Sequence, residues 1–494
     1  MSNSEQDIRL DIYNAMIEVP HFSKRTDAEK REWAQKHMNF YAQDPMFYAH
    51  LAVWYMDNGT VRDHKILFVA TLLKSSDMDH RDAGFVLLKD MEPYIVATVV
   101  EFLKKFYGGV PRSTKTAVRQ YLRTREAKDA WFDRAVIRQR KSFKSLYASL
   151  RIKPSARANA ILFADNPPED SLAYQLKQLA NAKDSREQAE IIARHKIPYT
   201  VAVGAVTEKS PAVLAALVSV MSPQEVINNL KSLKSDGAMD NDDVKTLVNE
   251  KLEKAKSGKR VTGSKAKIAA DAAGVDEETR QKLEEVTDQQ ARSKGSIKRP
   301  TALLVDKSGS LSVAIEVGKR VAQTVGGIVE NDFYVYAFDR DPFPIVASGN
   351  GVSDWEKAFR HVIAQGGTSV GCGFAALAAN RQFVEQVIIV TDEKENATPY
   401  ADEAYRKYCQ AMNIQPDIAI VRVGAFDWPY VTDKLEAAGA TVNTWQFKGD
   451  YYAVDNLIGF LSKPSRLELL LEIMAVPLPV REDVARPEPE TATA

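Results

Sequence analysis

Three short oxygen side chains, Asp306, Ser308 and Ser310, stand as D-x-S-x-S in TALLVDKSGSL. Gly309, between the serines, lets the backbone fold both hydroxyls toward one point. A small hard divalent cation takes oxygen ligands in a near-octahedral shell and keeps several waters, so hydroxyls backed by carboxylates suit Mg2+ or a cation like it. Thr368, opening a helix in QGGTSVG, and Asp392, ending the apolar run of VIIVTDEKEN, complete a candidate set of five metal residues. The turn alone also reads as a helix N-cap. A strand before it, a Gly-Gly-Thr loop and a second strand-terminal Asp favour the metal.

A second chemistry lies upstream. Between Lys104 and Arg157 there are sixteen basic residues against three acids, Glu126, Asp129 and Asp133, an excess of thirteen positive charges in a chain whose 66 Lys+Arg balance 66 Asp+Glu. Arg112, Lys115, Arg119 and Arg123, then Arg134, Arg138 and Lys141, recur at three-to-four spacing, which stacks cations along helix faces. Phosphate backbones are the natural partner, and Arg119, Arg123, Arg134, Arg138, Arg140, Lys144, Arg151 and Lys153 are the candidate nucleic-acid-binding residues. The competing reading is a solvated face that pairs with the acidic remainder of the chain. Tyr107, Tyr121, Trp131, Phe132, Phe143 and Tyr147 are interleaved as stacking groups, although helix-spaced aromatics are mostly core.

Other matches fail on context. Gly367-Thr368-Ser369-Val370-Gly371 fits a hydrolase elbow, but all seven His precede Ser369, so no downstream triad His exists. His80-Arg81-Asp82 lacks the Gly-rich loop and Asp-Phe-Gly of a kinase. Cys372 and Cys409 have no partner at zinc spacing and read as buried thiols. Ser257-Gly258-Lys259-Arg260 is no P-loop. A binding protein, not an enzyme, is expected.

The elements that must position these residues follow from periodicity. From about Asp7 to Lys254 apolar residues recur at helical spacing with short polar, Pro or Gly breaks, giving an all-α array over 1–255. Residues 256–298 change character, with a basic Gly/Ser stretch, a polar helix and an abrupt KGSIKRP, and read as a linker region. Over 299–480 strands alternate with helices (TALLVD, DFYVYAFD, EQVIIVTD, DIAIVRVG, TVNTWQF), with a last helix near Val454 to Leu461, as in an α/β doubly wound sheet. Residues 481–494 have nothing to bury and read as a disordered tail. At 494 residues, 45% hydrophobic and 27% charged, the composition excludes fibrous and disordered classes. Two cysteines and the polar MSNSEQD start predict a cytoplasmic protein, and no apolar run reaches membrane-spanning length.

The C-terminal half resembles a von Willebrand factor A domain, whose metal-ion-dependent adhesion site carries the same D-x-S-x-S, Thr and Asp pattern. The resemblance implies that Ser308, Ser310 and Thr368 coordinate Mg2+ directly, that Asp306 and Asp392 act mostly through water, and that a partner's carboxylate completes the shell. Helical repeats followed by such a domain resemble the Ro autoantigen family, with its HEAT-like module shared by telomerase, Ro and vault proteins. VIRQRKSFKSLYASLRIKPS (136–155), KIPYTVAV with SPAVLAALVSVMSPQEVINNLKSL (196–233), and TDEKEN with EAYRKY (391–408) carry that resemblance. Phe143 stands where the family usually has His, Ala148 where it has Arg, and Asn228-Asn229-Leu230-Lys231 replaces Arg-Asn-Leu-Gly. The resemblance implies a ribonucleoprotein component that binds small or structured non-coding RNA, with a Mg-binding domain for closure or partner capture. The alternative is a metal-dependent protein-assembly adaptor that binds an acidic protein ligand and has no RNA role.

Overall fold

The computed structural model describes residues 3–59, 61–258, 261, 263–272, 274–292, 296–309, 311–424, 428–449, 461 and 466–481. It divides into two compact units, Met1–Met221 with Arg466–Ala494, and Ser222–Ser465. The helix expected near Val454, apart from Leu461, and the tail expected beyond Arg481 lie outside the described residues. Among the described residues no helix is long and apolar enough to cross a membrane.

The first unit is helical, and its polar breaks are helix starts. Thr26 caps Asp27–Gln43 in a reciprocal box with Glu29, Asp44 caps Pro45–Asn58, Asp77 caps Met78–Asp90, and Ser155, Ser171, Asp184 and Ser210 cap later helices. Each cap satisfies an orphan N–H and stabilises its helix by roughly 1 kcal/mol. Helix Arg62–Leu73 is buried along nearly its whole length, as an all-round apolar helix must be. One hydrophobic core joins Phe22, Ile66, Leu67, Phe102, Phe132 and Phe143. Helices Arg112–Glu126 and Asp129–Leu150 lay Val118, Tyr121 and Leu122, and Phe132, Val136, Phe143 and Leu146, against that core. Their amphipathic pattern turns the cations of the basic segment outward.

The first unit also contains the end of the chain. Helix Arg466–Ala475 buries Leu469, Leu470 and Ile473. The Trp54 indole donates to Glu472 Oε1 at 2.9 Å, His50 Nδ1 donates to the Val476 carbonyl at 2.6 Å, and Arg481 pairs with buried Asp82 at 2.7 Å. Residues 466–480, assigned by pattern to the α/β domain, therefore fold with the helical unit. An amphipathic pattern announces an apolar face but not which surface it meets.

The second unit opens with four helices, Pro223–Ser235, Asp242–Lys256, Gly263–Ala272 and Glu277–Arg292. The compact boundary thus falls at Met221, upstream of the expected 255, and the stretch expected as a linker is largely helical. Glu277–Arg292 is fastened to the α/β body where Asp288 accepts from the Val352 N–H at 3.3 Å and Arg292 donates to the Gly327 carbonyl at 3.1 Å. The sheet comprises β1 Thr301–Asp306, β2 Phe333–Phe338, β3 Pro342–Pro344, β4 Gln386–Thr391, β5 Asp417–Arg422 and β6 Val442–Gln446, in the order β3-β2-β1-β4-β5-β6. All pairings are parallel except the edge pair β2–β3. Prolines in β3 suit an edge, where the ladder needs fewer donors. β1 and β4 lie where strand order reverses, and ligands of such sheets bind outside the carboxyl ends of those strands.

Candidate functional site

Asp306 ends β1 at this switch point and is 0% exposed. Its Oδ1 accepts from the Ser308 N–H at 2.9 Å and its Oδ2 from the Thr391 hydroxyl, at the end of β4, at 2.8 Å. Chiefly through burial, and against those hydrogen bonds, its carboxyl is pushed up to about 6, with the charge of Asp392 adding to the rise. A charge held this dry is stabilised by a cation. Ser308 and Thr368 are also buried, and half-buried Asp392 turns back to accept from the Lys394 N–H at 3.0 Å.

Backbone bonds bring the Thr368 loop to the Asp306 turn. Gln365 N–H donates to the Lys307 carbonyl at 2.7 Å, and Gly309 N–H to the Gly366 carbonyl at 3.3 Å. Gly366 has φ +81, and a Cβ there would stand 3.0 Å from the Asp339 side chain, so only glycine fits without displacement. Asn396 holds the far side, its Oδ1 accepting from the Thr368 N–H at 2.9 Å while its own N–H donates to the Thr368 carbonyl. The residues present, two buried hydroxyls and two carboxylates on convergent strand ends, fit a small hard cation. Ser310 lies outside the described residues.

Pattern reading missed the side chains that support this loop and turn. Lys307, the variable residue of the turn, is buried with its ammonium on the Asp339 carboxylate and 4.1 Å from the Phe343 ring centroid. The Asp339 carbonyl in turn accepts from the Ser369 N–H at 2.7 Å, so this ion pair ties the turn to the Thr368 loop. Asp339 ends YVYAFD in the way Asp306 and Asp392 end their strands, and that recurrence was its signal. Glu395 caps the helix Gly371–Ala379, accepting from Val370 N–H at 2.9 Å and Gly371 N–H at 3.2 Å. Ser369 Oγ donates to the Pro399 carbonyl at 2.7 Å and accepts from Cys372 N–H at 3.2 Å, a capping role. Burial pushes the Cys372 thiol up to about 12 and raises Cys409 as well, so neither is an activated thiolate.

The basic candidates fall on helices Arg112–Glu126 and Asp129–Leu150 and on the turn after them. Arg119, Arg123, Arg134, Arg138, Arg140, Arg151 and Lys153 are exposed and Lys144 is half-buried. Some have structural work. Arg123 pairs with Glu126 and donates to the Lys153 carbonyl at 2.7 Å, and Arg140 donates to the Leu162 carbonyl at 2.8 Å. Arg151 closes its helix in the left-handed conformation. Outside the candidate set, Arg157 engages Asp133 and Asp170 at 2.9 Å each, Lys105 pairs with Asp27 and Glu101, and Arg125 donates to the carbonyls of Lys89 and Met91. The thirteen excess charges are thereby partly engaged, and the guanidinium groups of Arg119, Arg134, Arg138 and Arg140 are exposed. Glu126, accepting from the Tyr147 hydroxyl and the Ser155 N–H, ties the two helices together at one end. Asp129–Leu150 kinks at Gln139 (φ −131, ψ 36), whose side chain accepts from the Tyr94 N–H at 2.6 Å.

No protein-family model and no curated protein sequence matches the chain. Among solved structures, a von Willebrand factor type A protein from Catenulispora acidiphila aligns at 17% identity over 36% of this chain and 43% of its own, with TM-score 0.27. The Ro (RSR) protein of Deinococcus radiodurans aligns at 16% identity over 85% of this chain and 92% of its own, with TM-score 0.60. The resemblance seen in the sequence is thus present in three dimensions: with helices followed by a doubly wound α/β sheet, the chain has the fold of a Ro protein.

Proposed function

We propose that the chain is a Ro-like RNA-binding protein, cytoplasmic and without catalytic activity of its own, that binds small or structured non-coding RNA through Arg119, Arg123, Arg134, Arg138, Arg140, Lys144, Arg151 and Lys153. The observation that carries this reading is the pair of helices Arg112–Glu126 and Asp129–Leu150, whose apolar faces are committed to the core while most of their cations are exposed. Phosphates are the anions that such a face attracts. Asp306, Ser308, Ser310, Thr368 and Asp392 would hold Mg2+ or another small divalent cation, which when bound offers a Lewis-acid position to an acidic group of a partner. Around it, Lys307 and Asp339 hold the Thr368 loop to the Asp306 turn, and Asn396 orients Thr368.

The adaptor reading rests on that turn alone, since its construction is independent of the basic face. Purification from the native host at low salt separates the two. RNA function predicts co-purified nucleic acid absorbing at 260 nm, released by salt, and retained by an Asp306→Ala variant. A preparation free of nucleic acid that captures an acidic protein in a salt-insensitive, Asp306-dependent way contradicts it.

A further inference from the structure

Of the aromatic rings threaded through the basic segment, Phe106, Tyr107, Tyr121, Phe132, Phe143 and Tyr147 are buried, and Trp131 is 39% exposed. A second exposed ring, Phe163 at 45%, ends the neighbouring helix Ala156–Phe163. Single exposed apolar residues are ordinary on a protein surface. These two differ in what surrounds them.

Trp131 shares a helix face with Arg134 and Arg138, three and seven residues on, before the kink at Gln139. The Arg125 guanidinium lies over its ring, 4.9 Å from the centroid, and is itself fixed 3.6 Å from the Tyr121 ring and by donation to the Lys89 carbonyl at 2.7 Å. Such a cation–π contact with an anchored guanidinium holds the indole in place and lowers the ordering cost of using it. Beyond the kink, Lys144 Nζ stands 5.3 Å from the Phe163 ring centroid, and Arg140 donates to the carbonyl of the preceding Leu162 at 2.8 Å. Each ring is therefore set beside cations of the row and braced by a cation, Trp131 by Arg125 and Phe163 by Lys144.

Cations that track a backbone combined with aromatic faces are what binds unpaired nucleotides, because every base has a π-face whereas a duplex hides its bases in the stack. We infer that Trp131 and Phe163 are stacking platforms for unpaired bases, and that the RNA segment lying on this face is single-stranded. The inference rests on the RNA-binding function proposed above and names the class of RNA that function uses.

Stacking and phosphate binding leave different signatures. Removing an aromatic releases no counterion, so it lowers affinity without changing the salt slope, whereas removing a cation changes both. The test measures binding of oligouridylate and of a blunt-ended RNA duplex to the full chain across a salt series, for wild type, Trp131→Ala, Phe163→Ala and Trp131→Phe. Each alanine variant is expected to weaken oligouridylate binding about fivefold or more, at unchanged slope. Duplex binding is expected to stay level, and Trp131→Phe to recover most of the loss. Oligouridylate should also quench a component of the tryptophan fluorescence that Trp131→Phe lacks. Alanine variants that bind oligouridylate like wild type, or lose oligouridylate and duplex equally with a shallower slope, overturn the inference while leaving RNA binding intact. A wild-type protein that binds neither probe overturns both.

Discussion

At the scale of single residues, buried charge decides what the Asp306 turn needs. Asp306 accepts two hydrogen bonds, yet burial still raises its carboxyl to about 6. Asp306→Ala in the full chain should abolish stabilisation of the α/β unit by Mg2+, a mass-action term of about 2.7 kcal/mol at a hundred times Kd. Calorimetry with Mg2+ and with chelator checks it, and equal responses in variant and wild type would remove Asp306 from the site. Asp339→Asn, which weakens the Lys307 clamp without touching a candidate ligand, should shift the Mg2+ titration to higher concentration. A second buried pair lies in the helical unit. His37 Nε2 and His64 Nδ1 are 3.0 Å apart, His37 Nδ1 meets the Tyr48 hydroxyl at 2.6 Å, and His64 Nε2 donates to the Glu18 carbonyl at 2.7 Å. Burial, with Lys36 nearby, holds His64 down to about 3 and His37 well below the usual imidazole range, where His64 also contributes. Because the folded pKa values are depressed, stability is full above about pH 6.5 and is lost as pH falls, by about 1.4 kcal/mol per unit for each imidazole. Denaturant midpoints of the helical unit should fall between pH 7 and 5, less steeply in His64→Gln. A flat profile in wild type contradicts this.

At the scale of elements, local chemistry was legible and long-range partnership was not. The five parallel strands of the sheet follow from short apolar runs ending in Asp, Gly or Phe, and the helix starts from Ser, Thr, Asp and Pro. The turn after β1 and the end of β4 were legible for the same reason, since each terminates an apolar run in a charged residue. The Lys307–Asp339 clamp was not, because it joins residues 32 apart through a fold the pattern only outlines. The basic row was visible as charge, but which cations are engaged by carbonyls and which aromatics are core depends on packing that spacing does not encode. Helix Arg466–Ala475 illustrates the limit: LELLLEIMA announces an apolar face, and only the structure sets it in the helical unit beside Trp54. Ile473 is fully buried there, so Ile473→Ala should destabilise the helical unit by about 2–5 kcal/mol and raise hydrogen exchange in Pro45–Asn58. Exchange raised only in the sheet strands would contradict the assignment.

At the scale of the whole molecule, balanced totals conceal an uneven distribution. The chain is formally neutral, yet one segment carries thirteen excess positive charges and its fold keeps a row of them in solvent. A neutral protein has no long-range field to attract RNA, so attraction must come from this face and be screened within roughly 8 Å at physiological salt. The Asp306 turn belongs to the other compact unit, and Asp306→Ala leaves every cation of this face in place. The most direct measurement is filter binding of a structured RNA across a salt series, comparing wild type, the combined Arg134→Ala, Arg138→Ala and Lys144→Ala variant, and Asp306→Ala. Removing one phosphate-binding cation flattens the log–log slope by about 0.7 for single strands, so the triple variant should bind much more weakly, with a slope shallower by about 2, while Asp306→Ala matches wild type. Unchanged affinity and slope in the triple variant would contradict the account and leave the adaptor reading in its place.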